Sequence, residues 1–159
     1  MAQTKLNFDD FIKTVDREYQ DFISELDQYL LDSGSKATFE EKKSGMLASY
    51  KVGKIKKALI NLLFRKEGLR VRIYGENHQQ YPNLLNELPE AMITEIRTAS
   101  ICRRIVLNQC SPKCAGYDFI VKGEHFQKCR YNCFEFLVTP TNIPYIKSLI
   151  EMELQARLG

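Results

Sequence analysis

The sequence predicts a single α+β domain spanning residues 1–159, in which helices pack against an antiparallel sheet. Three observations lead to this fold class. Apolar residues recur with helical periodicity at both ends of the chain, and short strand-like runs separated by turns fill the middle. With 159 residues, 44% of them hydrophobic and 27% charged, the chain is long enough to bury a core and has an ordinary globular composition.

The first element is predicted to be one long amphipathic helix that lies across the sheet. Apolar side chains recur at steps of three and four from Phe8 to Leu30. Asn7 is the predicted N-cap, Asp10 follows three residues later, and Gly34 is predicted to end the helix. A coiled coil would show the same apolar seam, but only three heptads are present, which favours a helix packed on a sheet.

An antiparallel meander of four strands is predicted next. Its strands are separated by glycine-containing turns and span Thr38–Lys43, Met46–Val52, Ala58–Arg65 and Leu69–Gly75. Side chains in the fourth strand alternate between two faces, with Leu69, Val71 and Ile73 on one and Arg70, Arg72 and Tyr74 on the other.

Two central helices, a C-terminal hairpin and a final helix complete the predicted fold. The central helices are Tyr81–Leu88 and a helix that begins at Pro89 and runs to about Ala99. The hairpin pairs Tyr117–Lys122 with one long strand, His125–Val138. The last helix spans about Ile143–Leu158.

Four of the five cysteines fall within 24 residues and form the most informative pattern in the chain. They make two pairs with three residues inside each pair, namely Cys110, Cys114, Cys129 and Cys133. A structural zinc ion takes four thiolates in a tetrahedron, and ligands within a pair are commonly separated by two to four residues. The sequence therefore predicts a structural zinc site, with Cys102 and His125 as reserve ligands.

One long strand would work against this zinc site. Along an unbroken strand over His125–Val138, Cys129 and Cys133 would lie about 13 Å apart, too far to share one metal ion. The zinc hypothesis therefore requires a bend at residues 130–132. Extending the alternation of Phe134 and its apolar neighbours backward also predicts that both cysteines face away from the core.

Two other interpretations of the thiols stay open. They could be buried or incidental residues without a chemical role. Alternatively, the protein could be a thiol-dependent redox protein or enzyme that uses Cys129 or Cys133, because Cys129 lies between Lys128 and Arg130 and nearby positive charge lowers a thiol pKa. Neither histidine is placed beside a thiol by the sequence, and the usual catalytic motifs are missing, so no enzyme class is supported.

The middle of the chain is strongly basic. Residues 1–32 have a net charge of −5, whereas residues 42–72 contain ten bases and one acid, a net charge of +9. This asymmetry predicts a basic sheet face that binds a small anionic ligand through Lys51, Arg70, Arg72 and Tyr74. Nucleic-acid binding, with the Tyr50 and Tyr74 rings stacking on bases, and a merely solvated face are the alternatives.

The expected location is cytoplasmic, without a membrane partner. No run approaches the roughly 18 apolar residues of a membrane helix, and the N-terminal residues do not read as a secretory signal. A reducing compartment disfavours structural disulfides, which supports thiols as ligands or reactive groups. No pattern indicates the oligomeric state.

Two parts of the chain resemble a bacterial family. They are Ser49–Lys54 with Phe64–Gly75, and Tyr117–Phe119 with Lys128–Phe134. They resemble an uncharacterised family of small cytosolic α+β proteins with a cysteine-rich C-terminal hairpin, and the likeness runs from about residue 45 to the C-terminus. The sheet-and-helix pattern is also similar to small bacterial domains of the MmcQ/YjbR kind. These resemblances imply a compartment and a fold class but no activity.

Overall fold

The computed structural model describes residues 6–52, 58–99, 117–128 and 133–158, which form an α+β fold. Its main antiparallel sheet contains β1 (Ser35–Lys42), β2 (Gly45–Val52), β3 (Ala58–Arg65), β4 (Gly68–Ile73) and β7 (Glu135–Leu137), adjacent in that order. A separate two-stranded sheet pairs β5 (Tyr117–Val121) with β6 (Glu124–Lys128). The helices in these ranges are α1 (Phe8–Ile12), α2 (Arg17–Asp32), α3 (Pro82–Asn86), α4 (Glu90–Thr98) and α5 (Ile143–Leu158), with a 3-10 turn at His78–Gln80. None of these helices is long and apolar enough to cross a membrane.

The predicted long N-terminal helix is two helices, α1 and α2. Asn7 caps α1 as predicted, since its side chain accepts a hydrogen bond from the Asp10 amide and the Asp10 carboxylate accepts one from the Asn7 amide, both at 3.0 Å. The helix then breaks before α2, and Val15 is buried at the break. The Gln20 side-chain amide donates to the Val15 carbonyl at 3.0 Å, an acceptor at the break. It also donates at 3.2 Å to the Ile12 carbonyl, which accepts the Val15 amide as well.

The predicted four-strand meander is present. Strand β3 has the predicted bounds, and its antiparallel register with β4 pairs Asn61 with Arg72 and Leu63 with Arg70. The predicted alternation in β4 is confirmed, because the apolar side chains of this strand are buried in the core while Arg70 and Arg72 lie on the opposite face. The same face of β3 carries Asn61 and Arg65.

The single strand predicted over His125–Val138 does not form. Strand β6 turns back on β5 through Lys122 and Gly123, whose φ angles of 50° and 82° are those of a two-residue hairpin turn. Strand β7 instead joins the main sheet, where Phe136 pairs with Val71 of β4. Phe136 of β7 lies in the core against the main sheet, whereas β6 packs on β5. One continuous strand could not make both of these contacts.

The core lies between the sheet and the helices and contains one notable polar pair. Tyr50 of β2 is fully buried, and its hydroxyl donates to Asp27 Oδ1 of α2 at 2.6 Å. Burial raises the pKa of the Asp27 carboxyl, although the hydrogen bond from Tyr50 opposes this shift. The predicted role of Tyr50 as a ring for stacking on nucleic acid is therefore wrong, because its position on β2 faces the core.

Helix α5 is anchored by one buried carboxylate. Glu153 is 0% exposed and accepts hydrogen bonds from the Asn77 amide and side chain, the Tyr81 hydroxyl and Arg157 Nε, at 2.9, 2.8, 2.8 and 3.0 Å. Arg157 Nη2 also donates to the Tyr74 carbonyl at 2.9 Å. The network fixes α5 against the segment that follows β4.

Candidate functional site

The predicted ligand-binding arginines lie together, but each is ion-paired with an acid from another element. Arg70 Nη2 lies 2.7 Å from Glu95 Oε1 of α4, and Arg70 Nε lies 3.3 Å from Glu135 Oε2 of β7. Arg72 binds Glu135 Oε1 through Nε and Nη2, at 3.2 and 2.9 Å. Arg65 Nη2 reaches the same Oε1 atom at 3.7 Å. Glu135 is therefore shared by three guanidinium groups.

Arg65, Arg70, Glu95 and Glu135 form one wall of a cleft of about 580 Å³. The cleft lies between the β3–β4 turn, strand β7 and the end of α4, and is lined by Arg65, Lys66, Glu67, Arg70, Glu95, Thr98, Ala99 and Glu135. Arg65 is half-exposed at its rim, whereas the side chain of Arg70 is only 15% exposed. An anion that enters this cleft must therefore compete with Glu95 and Glu135 for Arg70.

Of the four predicted ligand residues only Arg70 lines this cleft, whereas Arg72, Tyr74 and Lys51 do not. Tyr74 is 6% exposed, and its hydroxyl accepts a hydrogen bond from Asn61 Nδ2 at 2.8 Å. Its buried ring offers no open face for stacking. Lys51 is exposed on β2, opposite Lys36 of β1 and Ala58 of β3.

Glu95 is the titratable group closest to Arg70. Burial raises the pKa of its carboxyl, and the neighbouring Glu135 carboxylate acts in the same direction. Hydrogen bonds from the Leu137 amide, at 3.1 Å, and from Arg70 act in the opposite direction without cancelling the effect of burial. Lowering the pH therefore neutralises a carboxylate that holds Arg70.

The sequence analysis did not identify Glu95 and Glu135 as site residues, although strand alternation already indicated the position of Glu135. Glu135 stands between the inward-facing Phe134 and Phe136, so strand alternation already placed it outward. What the sequence did not show is the pairing of β7 with β4, which sets Glu135 opposite Arg72 from 63 positions away.

The predicted zinc ligands lie mostly outside the described residues. Cys110, Cys114, Cys129 and the reserve ligand Cys102 are outside them, and within the described ranges no group of three or more His, Cys, Asp or Glu side chains could hold a metal ion. Cys133 is described and only 1% exposed. The expectation that Cys133 faces away from the core is wrong, because it extended an alternation through a strand that does not exist.

Two residues near the cysteines have partners of their own. The reserve ligand His125 is exposed in the β5–β6 hairpin, with Nε2 2.6 Å from Asp118 Oδ1. Lys128, the proposed activator of Cys129, donates from Nζ to the carbonyls of Arg97 and Ala99 at 3.0 and 3.2 Å. These carbonyls end helix α4, where a cation is favourable.

His78 lies in a buried aromatic chamber. Its ring is 5% exposed, and its centroid lies 4.9, 5.5 and 6.2 Å from those of Tyr117, Phe119 and Phe134. Nδ1 lies 2.7 Å from the Gly75 carbonyl oxygen. A Cβ atom at Gly75 would come within 2.7 Å of the Phe134 ring, so the chamber requires glycine there. His78 Nε2 is also buried and has no hydrogen-bond partner among the described residues.

Comparison of this chain with family models, curated proteins and solved structures finds no match. The resemblance to a bacterial family therefore stays a prediction from the sequence.

Proposed function

We propose that the protein is a binding module whose cleft accepts a small anionic ligand and whose cysteine cluster holds a structural zinc ion. Arg70 supports the ligand proposal most directly. Glu95 and Glu135 hold its guanidinium at the cleft wall, while Arg65 and Lys66 reach the cleft from its rim. Guanidinium groups that are held in place bind carboxylates and phosphates with two parallel hydrogen bonds.

The charges around the cleft favour an anion only modestly. The lining itself is neutral, because Arg65, Lys66 and Arg70 offset Glu67, Glu95 and Glu135. Arg72 does not line the cleft but binds Glu135, and it adds one positive charge, which leaves +1. One carboxylate, Glu135, faces three guanidinium groups and cannot satisfy all of their donors. A ligand with one or two carboxylate or phosphate groups fits this excess better than a long polyanion does.

Replacing Arg65 by Gln is expected to weaken binding of pyrophosphate by about 10- to 150-fold, because one charge-assisted contact contributes roughly 1.5–3 kcal/mol. Arg65 is half-exposed, so this change should leave the fold intact. Isothermal titration with pyrophosphate and citrate measures the effect, and the Lys51→Gln variant, which lies outside the cleft, serves as the matched control.

Equal losses for Arg65→Gln and Lys51→Gln would contradict the cleft as the binding site. No binding of either anion by the unaltered protein would remove the small-anion proposal. Binding of an oligonucleotide that weakens steeply with salt, without binding of pyrophosphate, would instead favour the nucleic-acid alternative.

Glu95→Gln is expected to tighten pyrophosphate binding several-fold at neutral pH and to make it less dependent on pH. Glutamine keeps an acceptor for the Leu137 amide but removes the negative charge that competes for Arg70. In the unaltered protein the affinity should rise as the pH falls, because the raised pKa of Glu95 brings its protonation closer to neutrality.

The matched control for this pH experiment is Glu67→Gln, since Glu67 also faces Arg70, at 3.8 Å, but is largely exposed. Arg70, Arg65, Lys66, Glu67 and Glu135 also carry charge around the cleft and can affect how binding depends on pH. The quantity compared between the unaltered protein, Glu95→Gln and Glu67→Gln is therefore the slope of pyrophosphate affinity against pH. If the slope of affinity against pH for Glu95→Gln equals that of the unaltered protein, this prediction is wrong.

Two structural observations support the zinc ion. Strands β6 and β7 belong to different sheets, so the objection that an unbroken strand would separate Cys129 from Cys133 no longer applies. The burial of Cys133 suits a ligand of a closed structural site better than a reactive thiol, which needs access. When bound, the zinc would cross-link the segments that carry the two cysteine pairs.

A further inference from the structure

We propose that the outer face of the main sheet carries a second binding site, which takes a small anion with a flat aromatic body. The site is a cavity of about 450 Å³ beside the β1–β2 turn. Two leucines and four cations line it, namely Lys42, Lys43, Leu47, Leu63, Arg65 and Arg72. Among the described residues only Arg65 also lines the cleft, so the proposal does not depend on the cleft and can be tested separately.

Two leucines on adjacent strands form the floor of the cavity. Leu47 of β2 and Leu63 of β3 lie on the outer face, because their neighbours in sequence, Ala48 and Leu62, pair with each other and are buried in the core. Leu63 lies opposite Arg70 of β4 and is only 6% exposed, yet neither leucine belongs to the main core. The floor is therefore an apolar surface on the side of the sheet that faces away from the core.

Leucine is unusual at such an outward position. An antiparallel sheet with one face on the core normally carries polar residues on its other face. The other outward side chains of β1 and β2 follow this rule, namely Lys36, Thr38, Glu40, Lys42, Ser49 and Lys51. Leu47 is thus a local exception in these two strands, and it lies at the cavity.

The four cations surround this floor, and no acidic side chain lines the cavity in the part of the chain that the structure describes. Glu40 lies 2.9 Å from Lys42, but both side chains are more than half exposed, so water screens this pair. Glu135 is shared by Arg65 and Arg72, at 3.7 and 2.9 Å. When these two ion-pairing acids are subtracted, two positive charges remain, whereas the lining of the cleft is neutral.

A ligand that suits this site uses both features. A simple inorganic anion would leave the leucine floor uncovered, and a neutral aromatic compound would leave the cations without a partner. An aromatic ring that bears a phosphate or carboxylate can lie flat on the leucines while its charged group meets the arginines, which bind such groups with paired hydrogen bonds. A volume of about 450 Å³ is in the range of small-molecule sites. The lining therefore selects an aryl phosphate or an aryl carboxylate.

Isothermal titration of the full chain with naphthyl phosphate tests this proposal. We expect naphthyl phosphate to bind at least about 10-fold more tightly than inorganic phosphate, which corresponds to roughly 55 Å² of apolar ligand surface leaving water. It should also bind more tightly than uncharged naphthol, and its affinity should fall as salt is added. Equal affinities for naphthyl phosphate and inorganic phosphate would refute the apolar floor. Equal affinities for naphthyl phosphate and naphthol would refute the cationic rim, and either result overturns the proposal.

Substitutions show whether the naphthyl group binds at this cavity. Leu47→Asn is expected to weaken binding of naphthyl phosphate by about 10-fold, because it puts a polar side chain in the floor. Leu31→Asn, the matched control, changes a leucine of α2 that is 44% exposed and does not line the cavity, and it should have no effect. Lys43→Gln removes an exposed charge and should weaken binding about 2- to 5-fold, which keeps the test decisive if Leu47→Asn does not fold. A loss for Leu47→Asn no greater than for Leu31→Asn would refute the site.

Two lysines separate this site from the cleft. Of the two cavities, Lys66 lines only the cleft and Lys43 only the cavity on the outer face. Lys66→Gln should weaken pyrophosphate binding and leave naphthyl phosphate binding unchanged, and Lys43→Gln should do the reverse. If pyrophosphate does not bind while Leu47→Asn still weakens naphthyl phosphate binding, the cleft fails and the second site stands. If only Lys66→Gln weakens naphthyl phosphate binding, this ligand binds in the cleft and the second site is wrong.

Discussion

Replacing Glu153 by alanine is expected to lower the free energy of unfolding by about 3–5 kcal/mol, a large share of the stability of a typical domain. The carboxylate is fully buried and accepts four hydrogen bonds from Asn77, Tyr81 and Arg157. Its removal takes the Glu153 carboxylate away from the Arg157 guanidinium, whose side chain is only 4% exposed. Urea denaturation followed by circular dichroism measures the loss.

Three further variants separate the causes of that loss. Tyr81→Phe removes one of the four donors and should cost about 1 kcal/mol. Glu151→Ala, two positions away and exposed, should stay within about 0.5 kcal/mol of the unaltered protein. The double variant Glu153→Leu/Arg157→Met removes both charges and should be less destabilised than Glu153→Ala. If Glu153→Ala costs no more than Glu151→Ala, the carboxylate does not anchor α5.

Removing the proposed zinc ion is expected to lower the melting temperature by roughly 8–16 °C. The purified protein should contain about one zinc per chain, as one structural site requires. A ligand present at 1,000 times its Kd stabilises the folded state by about 4 kcal/mol, and 1 kcal/mol corresponds to about 2–4 °C in a domain of this size. Elemental analysis, followed by thermal melts before and after chelation, measures both quantities.

Serine variants locate the metal ligands. Each of the serine variants at Cys110, Cys114, Cys129 and Cys133 should lose zinc and melt as the chelated protein does. Cys102→Ser should keep both the metal and the melting temperature. The zinc proposal is wrong if the purified protein contains no metal and its melting temperature does not change on chelation. The alternative of a thiol-dependent redox protein or enzyme would then be tested by measuring alkylation of Cys129 and Cys133 across a range of pH.

The fold class and most elements could be predicted because their signals are local. Helix α5 has the predicted bounds, and so does β3, whose neighbours pair with it in the predicted meander. The Asn7 cap was predictable because a cap needs only residues within one turn. The break between α1 and α2 was not, since apolar periodicity continues through it and the stabilising contact is the Gln20 side chain.

The candidate site shows where prediction from sequence ends. The count of bases in the middle of the chain predicted a strongly basic face, but β7 brings Glu135 to Arg72 and α4 brings Glu95 to Arg70. Charge along a sequence does not reveal such pairs, because their partners are 25 to 65 positions away. The cleft is consequently close to neutral.

The α+β class, the β1–β4 meander, the outward position of Arg70 and Arg72, and the cysteine spacing that predicts a metal all follow from local sequence patterns. The separation of β6 and β7 into different sheets and the burial of Cys133 and His78 became evident in the folded structure alone. Periodicity reports which face of an element is apolar, and it depends on neighbouring residues alone. Burial and ion pairing depend on contacts between distant segments, which form only when the chain packs.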